Sequence, residues 1–175
     1  MIDKLFAFPE LLVNKFGTRD PFRIAKGLGI VVYHIDTKKQ KGMCRNILSN
    51  YYIWINSNMS YEMQRMACAH ELGHIVLHQD LLKNSKFLVE MEIFDIKNTT
   101  EYEANLFAAN LLIDDDEMRE YFKNGYDYVS TASALNVNVN MLLIKISGSP
   151  DLKANIPFSV NRKFMGYIDD RADSI

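Results

Sequence analysis

His70-Glu71-Leu72-Gly73-His74 reads as HExxH within a stretch, Ala67 to Leu77, that is apolar nearly all round. A helix of that pattern is buried. On a helix, residues four apart lie one turn apart on one face, so two imidazoles can grip one metal ion while Glu71 stands beside the ion's open position. His70 and His74 are therefore candidate ligands of Zn²⁺, with Mn²⁺ the alternative ion. Water at such an ion ionises near pH ~7 instead of about 15.7, and Glu71 is the candidate general base. Two histidines and a glutamate inside an apolar helix need partners, which separates this stretch from a solvated charge cluster. Gly73 costs about 1 kcal/mol relative to Ala in a helix interior; its place there predicts close approach by another element.

A third ligand is needed, and the next strong helix offers acids. Thr99 to Leu112 contains Thr100 followed three residues later by Glu103, the capping-box pattern. That gives Glu103 a structural task and leaves it as the reserve ligand. Glu101 heads a stripe with Ala104, Asn105, Ala108 and Leu112 whose small side chains allow close packing. Glu101 is the candidate third metal ligand. Asn105, one turn on, is placed either to hydrogen-bond a ligating imidazole or to serve as an ordinary buried amide.

The rest of the chain supplies the frame. A helix is expected around Glu10 to Phe16, and Asp20-Pro21 opens another that ends near Gly27-Leu28-Gly29. Strands are expected over Ile30 to Ile35, Gly42 to Leu48 and Tyr51 to Ile55. Ser60 caps the helix that carries HExxH, and no Gly or Pro stops it, so its end falls between Gln79 and Lys86. Asp114 with Glu117 starts a further helix. Tyr128 to Leu135, a break at Asn136 and Val139 to Ile146 read as helix-turn-helix. That unit offers Asn138, Asn140 and the single cation Lys145 where a reader of DNA needs several. It reads as a packing or substrate-docking part, and no direct nucleic-acid binding is expected. His78 reads as a hydrogen-bonded helix-end residue and His34 as structural.

At 175 residues with 48% hydrophobic content, the chain is long enough for one domain with a real core. The organisation expected is a metal-binding domain over residues 1–120 and a dependent helical part over 121–175. Cys44 and Cys68 are the two cysteines, too few and too scattered for a disulfide scaffold. No run reaches the ~18 apolar residues of a membrane span and the start lacks the order of a secretory signal, so a cytoplasmic location without membrane contact is expected. From Met1 to Asn58 there are 9 Lys/Arg against 4 Asp/Glu, and from Met59 to Glu120 there are 5 against 13. An acidic middle suits a basic polypeptide better than a phosphate backbone.

Several stretches together resemble one family. Asp20-Pro21 with Ile24-Ala25-Lys26, Tyr52-Ile53-Trp54-Ile55-Asn56, Gln64 to His74 with His78, and Glu101-x-x-Ala104-Asn105-x-Phe107-Ala108 with Leu111-Leu112 are similar to the ImmA/IrrE metallopeptidases. The resemblance runs from about Asp20 to Gly148. It departs at Ile113-Asp114, where the family pattern has a proline after one residue. It implies that Glu101 completes a zinc site and that the substrate is a helix-turn-helix transcriptional repressor, cut inside the cell to switch genes on. The fold expected is α+β and zincin-like, with a short twisted sheet beside the HExxH helix and a C-terminal helical part. The competing class is a non-catalytic regulator that binds DNA or protein and uses the metal only for stability. Glu71 argues against that class, because a structural site needs no unligated carboxylate beside the metal.

Overall fold

A computed structural model describes residues 2–38, 40–83, 99–149 and 152. The order is α1 (Ile2–Phe16), α2 (Pro21–Gly27), β1 (Val31–Ile35), β2 (Gly42–Ile47), β3 (Asn50–Asn56), α3 (Tyr61–Leu77), α4 (Gln79–Lys83), α5 (Thr99–Leu112), α6 (Asp115–Lys123), α7 (Tyr128–Ala134) and α8 (Val139–Gly148). The chain divides into two compact units, one ending at Leu112 and the other starting at Ile113. The division falls ahead of α6, not after residue 120, and much of the 121–175 stretch lies outside the described residues.

In the first unit, the sheet order is β1-β3-β2. β1 pairs parallel with β3, and β2 pairs antiparallel with β3. Alternation sends Cys44, Ile53 and Ile55 inward, all essentially without exposed surface, under α3. Tyr33, Tyr52 and Trp54 stack with one another on the other face. β2 is thus an edge strand, and it turns into β3 through Leu48 and Ser49, both at positive φ. That two-residue turn has the primed geometry that matches strand twist, here without the Asn-Gly that normally marks it.

Three helix boundaries differ from expectation for identifiable reasons. α1 extends back through Pro9 to Ile2. Proline removes the donor owed to the carbonyl four residues earlier, and that carbonyl, on Leu5, instead accepts from Asn110 Nδ2 of α5 at 3.3 Å. α3 ends at Leu77, where the His78 amide closes the last turn onto His74 O, and a separate short helix follows. Residues 84–86 of the expected end lie outside the described residues. α5 begins at Thr99, so Thr100 sits inside the helix, not at its cap, and the Glu103 carboxylate is engaged with His78.

The expected caps are present elsewhere. Asp20 accepts from Phe22 N ahead of Pro21, Ser60 accepts from Met63 N, and Asp114 accepts from Asp116 N and Glu117 N. In the second unit, Asn136 takes φ +53 between α7 and α8, as the helix break requires, and the chain bends by 107° there. Lys145, 2% exposed, points inward and pairs with Asp115 at 2.6 Å and Ile113 O at 2.8 Å. No single helix among the described residues is long and apolar enough to cross a membrane.

Candidate metal centre

α3 and α5 make the site because they can approach closely. A Cβ at Gly73 would stand 3.1 Å from both the Cα and the carbonyl oxygen of Ala104, so the glycine expected to receive another element receives α5. The approach sets Glu101, at the start of α5, over the face carrying His70 and His74. His70 Nε2 lies 3.0 Å from His74 Nε2, Glu101 Oε2 is 3.3 Å from the former, and Glu101 Oε1 is 3.4 Å from the latter. Tetrahedral ligands about 2.0–2.1 Å from a zinc ion stand about 3.3 Å from one another. The triangle therefore fits one such ion, and these three residues form a metal-sized cluster among the described residues.

Their protonation states fit as well. Burial lowers the His74 pKa, favouring the neutral ring. Burial also works to raise that of Glu101, but the hydrogen bonds from His70 and His74 outweigh it and hold the carboxyl at about 2. A neutral imidazole still carries one N–H, which is enough to donate such a bond. Neutral imidazoles facing an ionised carboxylate are the forms a divalent cation selects.

Glu71 is fully buried beside this triangle, and neither of its oxygens has a hydrogen-bond partner among the described residues. Burial pushes its carboxyl up to about 8; the Cys44 thiol opposes the shift, without reaching hydrogen-bond geometry, and the charge of Glu101 adds to it. A carboxylate left bare in the interior costs several kcal/mol unless something answers it, typically ~1–3 kcal/mol or more per unsatisfied group. No group among the described residues answers it. The edge strand leaves room for it: a Cβ at Gly42 would stand 2.8 Å from Glu71 Oε1.

Around the triangle, each histidine is held from behind. His70 Nδ1 is 2.8 Å from Asn105 Oδ1, so of the two roles open to Asn105 the structure gives it the imidazole. His74 Nδ1 is 3.1 Å from His78 Nδ1, and His78 Nε2 is 2.9 Å from Glu103 Oε2. Glu103 thus faces His78 and stands apart from the triangle. The sequence signal for this pair was the placement of His78 one turn after His74 on the same face. Cys44 and Cys68 are free and buried, their thiols pushed up by burial, and His34 rests on the Phe22 ring.

A buried helix with two histidines one turn apart, a glutamate between them and a carboxylate from a second helix define a zincin-like metallopeptidase. Residues 25–147 match the IrrE N-terminal-like domain, and the chain belongs to that metallopeptidase family. It is 33% identical over 113 residues to the uncharacterized immunity region protein 2 of Bacillus phage phi105, covering 64% of this chain and 70% of the phage protein. It is also 28% identical over 132 residues to metallopeptidase ImmA of Bacillus subtilis (strain 168), covering 73% of this chain and 75% of that protein. Membership implies a divalent metal, and a protein substrate for a peptidase.

Proposed function

We propose that the protein is a zinc-dependent, site-specific endopeptidase that acts in the cytoplasm on a helix-turn-helix transcriptional repressor and so releases the genes that repressor holds silent. The observation that carries the catalytic part is Glu71: a fully buried carboxyl, without a partner among the described residues, beside three side chains that could hold a metal ion. A carboxylate kept there for stability would have partners. The relatives support the regulatory part, since one is named a metallopeptidase and another is named for a phage immunity region.

In this reading His70, His74 and Glu101 hold the ion, with Mn²⁺ able to take the place of Zn²⁺. A divalent ion held by these three residues would supply positive charge to acidify water and polarise the scissile carbonyl, and that charge would favour the ionised form of Glu71, which burial alone pushes up to about 8. Glu71 takes the proton of the attacking water and returns it to the leaving amine. Asn105 keeps the His70 ring in place by accepting from Nδ1. The second unit serves packing or substrate docking. Lys145, the cation that a DNA-reading helix would turn outward, is committed to Asp115 and Ile113 O, which favours a protease over a DNA-binding regulator.

The test is incubation of the full chain with a helix-turn-helix repressor encoded nearby. Cleavage at one or a few sites, stopped by chelator and restored by Zn²⁺, is expected, with no salt-resistant binding to the operator duplex. Sequence-specific duplex binding together with an uncut repressor would reverse the ranking.

A further inference from the structure

We propose that His78 and Glu103 form a positioning relay that fixes the tautomer and ring angle of His74 and thereby tightens the grip of the His70, His74 and Glu101 site on a divalent metal. The inference rests on the metal-site reading above and goes beyond it, since neither residue reaches the triangle.

For a His74 ring that ligates a metal through Nε2, the geometry permits one consistent assignment of protons. His74 turns Nε2 toward Glu101 and His70, so a ligating ring keeps its lone pair there and carries its proton on Nδ1. The neighbour of Nδ1 is another imidazole nitrogen, His78 Nδ1, at 3.1 Å. Two ring nitrogens in contact hold one proton between them, so His78 Nδ1 is the acceptor. Its proton then belongs on Nε2, and there a carboxylate oxygen of Glu103 waits at 2.9 Å. Reversing any one bond would put a proton on the nitrogen that faces Glu101.

The relay is built from both helices that make the site. His78 caps α3 one turn beyond His74, and Glu103 lies two residues beyond Glu101 on α5. The side chains of His78 and Glu103 are only 9% and 14% exposed, so water competes weakly and the charge-assisted bond counts. His70 is supported differently, by the neutral oxygen of Asn105. The two ligand rings thus have unequal supports, and the ionic one belongs to His74. Removing such supports behind a ligating histidine typically weakens metal affinity about 10–100-fold.

The experiment measures Zn²⁺ affinity of the full chain by competition with a chromophoric chelator, alongside the thermal midpoint of the metal-free protein. His78→Leu and Glu103→Leu should each weaken binding about 10–100-fold, and the double variant no more than either alone. His78→Gln, which can accept from His74 and donate to Glu103, should recover most of the affinity. In ¹⁵N spectra of the zinc-loaded protein, the His74 Nδ1 proton should be slowed in exchange in the wild type and exposed in the leucine variants. Should a leucine variant not fold, Glu103→Gln decides, because it keeps an acceptor and loses the charge; about 3–10-fold weaker binding is expected. Unchanged affinities, or lowered midpoints with unchanged affinity, overturn the relay alone. A wild type that binds no zinc overturns the site reading with it.

Discussion

Two buried ionisable residues, one in each compact unit, are treated in opposite ways. Lys145 in the second unit is 2% exposed and has a carboxylate at 2.6 Å and a carbonyl at 2.8 Å. Glu71 in the first is fully buried, and both its oxygens lack partners among the described residues. Burial disfavours the charged form in both places. Among the described residues, only those of the second unit offer groups that offset this penalty, at Lys145. A paired buried charge explains itself as structure, tying α6 to α8; a carboxyl without a partner among the described residues, beside a cluster that could hold a metal, points to chemistry. The difference between the two residues separates architecture from chemistry more sharply than burial or charge alone.

The widest separation should appear when the charge itself is removed. Glu71→Gln is expected to keep the fold and its metal while losing cleavage about 10²–10⁴-fold, the usual worth of a general base. Metal analysis and a repressor-cleavage assay check both halves. In the metal-free protein the same substitution should change the pH dependence of stability. The folded state holds the Glu71 proton up to about 8, whereas the unfolded chain releases it near the ordinary 4.5. The native state then binds the extra proton between those limits, so this group's contribution falls as pH rises through them, by at most about 1.4 kcal/mol per pH unit. His74, whose pKa is lowered by burial, has the opposite slope near its ordinary 6.5. It is present in both proteins, so the difference between wild type and Glu71→Gln in urea unfolding isolates Glu71. Parallel stability curves for the two would mean that Glu71 has a partner after all.

What the sequence disclosed follows from the same distinction. The spacing of His70, Glu71 and His74 and the small-residue stripe behind Glu101 are local and periodic, and the structure brings His70, His74 and Glu101 together. β1 and β3 were legible because they are rich in β-branched and aromatic residues, and the helix break at Asn136 because Asn tolerates positive φ. Long-range pairings were not legible. Glu103 carries a capping signature three residues after Thr100, and nothing in a linear pattern says that a histidine from another helix will claim it. The start of α1 was hidden by Pro9, because the donor that makes a helical proline acceptable there is Asn110, more than one hundred positions away. The Leu48 and Ser49 turn lacks the Gly or Asn that would have marked it.

The paired charge should respond unequally to loss of its two members. Asp115→Ala takes the carboxylate from an ammonium that cannot reach bulk water, whereas Lys145→Met leaves Asp115 about half exposed and able to hydrate. The first should cost about 2 kcal/mol, less than the ~3–5 kcal/mol of a fully buried pair because Asp115 is already half in water, and the second should cost less than the first. Both variants should cut the repressor as the wild type does once folded. Denaturant unfolding followed by the cleavage assay checks the pair. A loss of cleavage in a folded Lys145→Met would mean that the second unit contributes chemistry and would collapse the contrast.

The smallest effect on stability, and the sharpest on the site, is expected from Gly73→Ala. The new Cβ would meet the Cα and carbonyl oxygen of Ala104 at 3.1 Å and Phe107 Cδ1 at 3.2 Å. Two of those atoms are backbone, so a side-chain rotation cannot relieve the contact and α5 must move by a few tenths of an ångström. Overpacking of this size costs ~1–3 kcal/mol, and the better helix propensity of alanine returns about 1 kcal/mol of it. The net loss of stability should therefore be about 1 kcal/mol. Glu101 rides on α5, however, and its oxygens hold distances of 3.3 and 3.4 Å to the two imidazoles. Moving that helix spoils the fit of the triangle to the ion, so Zn²⁺ affinity should fall by about tenfold, more than the modest destabilisation would indicate. Chelator competition and denaturant unfolding on the same sample separate the two quantities. Full zinc affinity in a destabilised Gly73→Ala would show that the close approach of α3 and α5 serves packing alone.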